Sequence, residues 1–367
     1  MTQLRLLDWH DIDTPRAIER WDRLAEQASE PNPFCESWFL RASHRAFPGA
    51  KVRLLCLVSG EDLLALMPVH RPRRYYGRPV PHIANWLHPN CFIGAPLVAR
   101  GAEHVFWQAL LSWCDDHAGL ALFLHIAALP LDGALHAALV DTLARQTRPS
   151  ALVFRTQHVV LQSAMSAEDY FTASLSGKKR KELGRQARRL GELGALAFRR
   201  QDDAADLDPW IAQFLALEAA GWKGQAGSAL SCDASTRGLF AEALEGAARR
   251  GRLERIALTL DDRPIAMLAN FLAPPGAFSF KTAFDESLAA YSPGVLLQRE
   301  NLALMERDGI EWVDSCATQD HPMIAHIWRE RRPVGRVNIA IGGTARRMLF
   351  KALTRAELGR NPTGVEP

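Results

Sequence analysis

The chain has 367 residues, 48% hydrophobic and 23% charged, with a formal net charge of +3, an ordinary globular balance at a length that favours two domains or two fused halves. No apolar run approaches the roughly 20 residues of a membrane helix, and the opening MTQLRLLDWHD lacks the basic and apolar regions of an export signal, so a cytoplasmic chain without membrane insertion is expected. Cys35, Cys56, Cys91, Cys114, Cys232 and Cys316 are widely spaced with no C-x-x-C pair, which argues against a disulfide framework or a zinc ribbon.

A polar helix is expected over Pro15 to Ala28, a turn at Pro31-Asn32-Pro33-Phe34, and a short helix from Ser37 to Ala46. Val52 to Val58 and Leu63 to His70 alternate around Gly60-Glu61-Asp62 as a hairpin, and Val80 to Leu87 can supply the next strand. A helix from Gly101 to His117, a strand from Leu120 to Ile126, a helix from Leu131 to Gln146 and a strand from Leu152 to Leu161 follow. The first half, residues 1–160, therefore reads as mixed α/β.

Residues 175–194 read as a strongly basic helix. Lys178 to Arg189 carries seven basic residues and one acid, so the rest of the chain is acidic on balance. On a helical wheel Lys178, Lys181, Arg185, Arg188 and Arg189 share about one quadrant, opposite Leu183, Ala187 and Leu190. One face can pack while the other meets anions, arginine favouring bidentate contact with phosphate or carboxylate.

Helices are expected over Asp206 to Ala220 and Thr236 to Arg250, with Gly221-Trp222-Lys223-Gly224 as a shaped loop between them. Leu253 to Leu260, Ile265 to Leu272 and Ala277 to Phe284 form an antiparallel meander. Ser292-Pro293-Gly294 then opens a buried helix beginning at Val295, and Glu311 to Cys316 is the strand after it. Meander, helix and strand thus occur near 52–126 and again near 253–316, a repeat of architecture without a repeat of residues. The closing residues, 357–367, are expected to be disordered.

The pieces GKKRKELGRQARRLGELG, LEAAGWKGQAGSAL, FKTAFDESLAAYSPGVLLQREN and VDSCATQDHPM together resemble the GNAT-type acyltransferase domain of CelD-like proteins of polysaccharide biosynthesis, related to the Fem aminoacyl transferases. The resemblance spans roughly residues 160–330. It implies an α+β fold of two GNAT-like modules side by side, each a mostly antiparallel twisted sheet flanked by helices, with residues 161–356 as the C-terminal acyltransferase half. It also implies an acyl donor of the acetyl-coenzyme A type, bound near the helix that opens at Ser292, Gly294 and Val295, and an amine acceptor in the cleft. Ser-Pro-Gly-Val offers one glycine and a proline without an N–H, where ordinary members carry glycines and basic residues. Lys178, Lys181 and Arg185 are the expected supplement for the donor's phosphates.

Acyl transfer to an amine needs removal of the amine proton, a polarised carbonyl and alignment of the reactants. Asp285 after the central strand, Asp314 on the next one and His321 shortly beyond are the candidates for proton removal. Glu218, Trp222 and Lys223 are the candidate acceptor contacts, Trp222 as a wall. A Cys316–His321 nucleophile is a covalent alternative, and no metal motif is present. The reading is an N-acyltransferase using an acyl-coenzyme A donor and a small-molecule or glycan-precursor amine, in cell-envelope or polysaccharide metabolism. A tRNA-dependent aminoacyl transferase and a non-catalytic binding protein that retains the fold are the alternatives.

Overall fold

The computed structural model of the protein describes residues 2–319, 323–359, 361, 364 and 365. In chain order it runs β1 (Thr2–Leu7), α1 (Trp9–Ile12), α2 (Pro15–Gln27), α3 (Ser37–Ala46), β2 (Arg53–Ser59), β3 (Asp62–His70), β4 (Ile83–Asn85), β5 (Leu97–Val98), α4 (Glu103–Asp116), β6 (Phe123–Pro130), α5 (Ala134–Arg145) and β7 (Ser150–Leu161). It continues through α6 (Ala167–Ser174), α7 (Gly177–Gly191), β8 (Leu196–Gln201), α8 (Leu207–Ala220), α9 (Trp222–Gln225), α10 (Ala234–Ala248), β9 (Leu253–Leu260), β10 (Arg263–Ala273) and β11 (Gly276–Phe284). The last elements are α11 (Pro293–Asn301), β12 (Trp312–Thr318), β13 (Glu330–Ala340) and α12 (Thr344–Leu358).

The chain forms two compact units, the first of Met1–His44, Pro48–Gln157 and Arg332–Pro367, the second of Arg45–Phe47 and His158–Arg331. In the first, β1, β2, β3 and β4 are successive antiparallel neighbours and β6 lies parallel to β4. In the second, β8, β9, β10 and β11 are successive antiparallel neighbours and β12 lies parallel to β11. The same order of parts therefore occurs twice: strand, helices, antiparallel meander, helix, and a strand parallel to the meander's last. Both units are mixed α/β with mostly antiparallel pairing.

In the second unit the central strands are apolar on both faces because helices cover both. Leu190 of α7 and Leu296 and Leu297 of α11 pack on Ile256, Leu258, Ala266 and Leu268. Phe214 and Phe240 of α8 and α10 stack 4.8 Å apart, and Phe271 and Phe280 of the sheet 4.5 Å apart. Such ring pairs add directional attraction to the area they bury.

Several elements differ from the expected ones. The strand expected over Val80 to Leu87 shrinks to Ile83–Asn85, since Pro81 brings no N–H to a ladder. The basic helix starts at Gly177, where the Ser176 hydroxyl accepts from the Lys179 N–H, and α6 is a separate helix before it. Residues 332–356, expected with the C-terminal half, pack in the first unit, where β13 pairs with β6 through Val337 and Ile126. Of the closing residues expected to lack order, Glu357 and Leu358 complete α12, and Val365 is buried with its carbonyl 2.8 Å from His136 Nε2. Among the described residues no helix is long and apolar enough to cross a membrane.

Candidate functional site

The second unit's sheet opens where its parallel pair ends. β11 and β12 are paired only from Gly276–Trp312 to Phe278–Asp314. Beyond that point β12 bends away, its register against β7 shifting between Asp314 and Thr318 around Cys316, which has a left-handed φ of 56°. The rest of β11 still pairs with β10 on one edge. Its other edge has no strand partner among the described residues. Exposed strand edges of this kind can hydrogen-bond an extended ligand.

Lys281 lies on this free stretch of β11. It is half-buried, its ammonium sits 5.5 Å from the Phe280 ring centroid, and burial, with help from Lys223, pushes its amine down to about 8 against the opposing pull of Glu218 and Cys316. Glu218 on α8 is buried, one oxygen accepting from Lys223 Nζ at 2.7 Å and the other from the Leu230 N–H at 2.8 Å. A single carboxylate thus ties Lys223 to Leu230, across a segment that opens as the short helix α9 where a loop was expected. Gly224 allows the chain to turn against the Ala219 carbonyl, which a side chain would strike at 1.9 Å. Trp222 is 58% exposed, and its backbone N–H donates to Glu286 Oε1 at 2.7 Å. Of the expected cluster, Glu218 and Lys223 are joined by a hydrogen bond, while Trp222 is held by Glu286 with its indole at the surface.

Asp314, at the point where the strands part, is fully buried and its carboxylate accepts from His158 Nδ1 at 3.1 Å and from the Cys316 N–H at 2.7 Å. Holding Nδ1–H in this way leaves Nε2 as the basic nitrogen of His158. Asp285 stands differently. One oxygen accepts from the Ser287 N–H and the other from Arg263 at 2.7 Å, so the carboxylate caps the 3₁₀ turn Glu286–Tyr291. His321, the third expected group, lies outside the described residues, and so does the partner expected for a Cys316 nucleophile.

Ser292 precedes α11 in a left-handed conformation and its hydroxyl makes no cap. Its carbonyl accepts from Val295 and Leu296 instead. Gly294 is buried, and a Cβ there would meet Met323 Sδ at 2.7 Å and the Phe284 ring at 3.3 Å. Glycine at this position thus serves a close approach within the protein. Val295 is partly buried against the apolar cluster that includes Leu302 and Leu304.

Helix α7 reaches this region through Gln186, whose Nε2 donates to the Ala290 carbonyl at 3.2 Å in the turn leading to α11. Leu183 and Leu190 are buried as expected, while Lys178, Lys181, Arg185, Arg188 and Arg189 are exposed. Arg185 already makes both of its close contacts with Glu182, at 2.6 and 2.7 Å. Lys178 and Lys181 make no side-chain hydrogen bond or ion pair among the described residues.

Lys281 and His158 are the groups that sequence reasoning missed. Lys281 sits inside an apolar strand, FSFKTAF, where a lone lysine is itself a signal. His158 carries no such mark, because its partner is 156 residues away. No group of three or more His, Cys, Asp or Glu among the described residues could hold a metal ion. The buried thiols of Cys35 and Cys114 are pushed up to about 12 by burial, which makes them inert.

Residues 177–321 match the acetyltransferase (GNAT) domain family. No curated protein matches the chain. Among solved structures it resembles FemX, with a TM-score of 0.55 at 9% identity, covering 92% of this chain and 98% of that one. It also resembles a conserved protein of unknown function from Bacteroides thetaiotaomicron, with a TM-score of 0.54 at 8% identity over 88% and 97% of the two chains. A third likeness is to the C-terminal domain (DUF2156) of a presumed lysylphosphatidylglycerol synthetase from Agrobacterium fabrum, with a TM-score of 0.51 at 11% identity over 95% and 98%. At these identities the likeness is one of fold.

Proposed function

We propose that the protein is an acyltransferase that passes an acyl group from a thioester donor of the acyl-coenzyme A type to an amine, with the chemistry in its second unit. The observation that carries this reading is the unpaired edge of β11 past Phe278, inside the segment that matches the acetyltransferase domain. A donor arm that contains amides can pair with that edge as an added strand would. Lys178 and Lys181 of α7 are the cations for its phosphates, in place of the glycine-rich loop that Ser292-Pro293-Gly294 lacks.

The reaction needs a group that takes the acceptor's proton and returns it to the leaving sulfur. As the amine attacks the carbonyl carbon, the new C–N bond forms, the C–S bond breaks, and one proton moves from nitrogen to sulfur. Lys281 suits this relay, because a base is most effective with a pKa near the working pH and its amine titrates near 8. His158, oriented by Asp314, is the second candidate, and His321 remains a third by sequence. Glu218 and Lys223 act on Lys281 through their charges, Trp222 adjoins Lys223 in the chain, and the three are assigned to the acceptor, a small molecule or glycan precursor bearing the amine.

A second reading, aminoacyl transfer from tRNA, has one observation in its favour: Arg188 and Arg189 extend the exposed basic face of α7 beyond what a small donor needs. Calorimetric titration with acetyl-coenzyme A, a longer acyl-coenzyme A and charged tRNA decides between the two. Saturable thioester binding supports the main reading and tRNA binding alone supports the second. Binding of none of the three would leave a protein that keeps the fold without the transfer.

A further inference from the structure

We infer that the first unit carries a binding site for a diphosphate-bearing small molecule, in a cavity of about 830 Å³ at the ends of β2, β3 and β4 beside α4. This site does not rest on the activity proposed above and lies in the part of the chain that the acetyltransferase domain match leaves uncovered.

The cavity is lined by Lys51, Arg53, Arg71 and Arg73 against a single carboxylate, Asp8, the N-cap residue of α1. Lys51 and Arg53 enter β2 as Arg71 and Arg73 leave β3, and the register pair Arg53–Val69 sets the two cation pairs on neighbouring strand ends. Lys51, Arg53 and Arg73 make no side-chain hydrogen bond or ion pair among the described residues. Four like charges gathered in one concave place repel one another, and natural surfaces ordinarily intersperse the two signs. An anionic occupant removes that cost. Two pairs of cations suit two phosphoryl groups, with the arginines able to make bidentate contacts.

The walls argue for a small molecule rather than a nucleic-acid strand. Val52, Val69 and Ile83 give a buried apolar floor, and the volume falls within the usual range for small-molecule pockets, roughly 300–1,000 Å³. One cation is held in place beforehand. Arg71 donates to the His117 carbonyl at 2.7 Å and lies over the Trp113 ring at 5.5 Å, a ring that also stacks with that of His117 at 4.9 Å. A pre-ordered arginine reduces the entropy lost on binding.

The test uses the full chain. Inorganic pyrophosphate and uridine diphosphate are titrated calorimetrically, and vesicles with and without an isoprenoid diphosphate are sedimented with the protein. Wild type should bind one equivalent of diphosphate in the first unit, with affinity falling as salt rises. Arg53→Gln/Arg73→Gln should weaken it at least about tenfold with an unchanged thermal midpoint, both side chains being exposed. Lys178→Gln/Lys181→Gln on α7 should leave it unaltered. Preference for uridine diphosphate identifies a soluble nucleotide source, and sedimentation that needs both the lipid diphosphate and the two arginines identifies a lipid one. If wild type binds no diphosphate more tightly than the arginine variant, or only the α7 variant loses binding, the assignment is wrong and the cations are a solvated rim.

Discussion

An amine pushed down to about 8, as burial and Lys223 dictate for Lys281, has a neutral minority near pH 7 that an ordinary lysine lacks. If Lys281 carries the proton, the pH–rate profile should rise through about 8, and Lys281→Met should lower turnover by about 10²–10⁴. Lys281→Arg keeps the charge but cannot titrate in that range, so it should be slow and lack the limb. A limb that survives in the arginine variant would place the base elsewhere. At the same scale, Asp314→Asn removes the buried charge that orients His158 and should cost about 1–3 kcal/mol of stability, measured by urea denaturation. Residue chemistry was only partly legible in the sequence. Asp314 could be singled out as an acid on a strand, but its pairing with His158 depends on β7 lying beside β12, which no local pattern encodes. Asp285 looked equally acidic and turned out to cap a turn, as short side chains after a strand often do.

The elements were more legible, because hydrophobic periodicity reports packing directly. The meander of β9, β10 and β11 and the two-faced α7 could be read from alternation and from the helical wheel. Helices α6 and α12 and strands β1, β5, β8 and β13 were missed, the exposed β8 because it has no continuous apolar face to betray it. Helix α11 was expected to present Ser292 and Gly294 to a ligand, and the packing around Gly294 changes what a substitution there means. Gly294→Val should destabilise the fold by about 1–3 kcal/mol through overpacking against Met323 and Phe284. Met323→Ala should recover part of that loss in a double-mutant cycle. An unchanged thermal midpoint in the valine variant would show that the site is roomier than the contacts indicate. For α7, Lys178→Gln/Lys181→Gln should weaken donor binding at least about tenfold and flatten its salt dependence while stability holds. Equal donor affinity in that variant would reduce α7 to a solvated surface.

Across the whole chain, the doubled order of strands was legible as a repeated pattern, whereas the return of β13 and α12 to the first unit was not, since nothing in residues 332–356 marks which sheet they join. The first unit should also respond to acid as a body. His70 and His125 are both pushed down to about 4 by burial, from an ordinary 6.5. The unfolded chain therefore binds protons that the folded one refuses, and stability should fall as pH drops from about 6.5 to about 4. Urea midpoints across that window check the slope, and a flat line would contradict the burial of these rings. The two units also differ at the place where their parallel strands part. In the first, Asn85 at the end of β4 donates to the Gly94 and Ala127 carbonyls at 2.9 Å and accepts from the Ala127 N–H at 2.9 Å, while the Gly94 N–H donates to the Ala128 carbonyl at 2.7 Å. There the chain itself closes the end of the β4–β6 pair, the place that β11 and β12 leave unpaired in their own unit. Despite two copies of one topology, each polypeptide should therefore hold a single acyl donor in position for transfer. Single-turnover transfer from acyl-coenzyme A to excess amine should saturate at one donor per chain, with a single rate constant and no second, weaker phase.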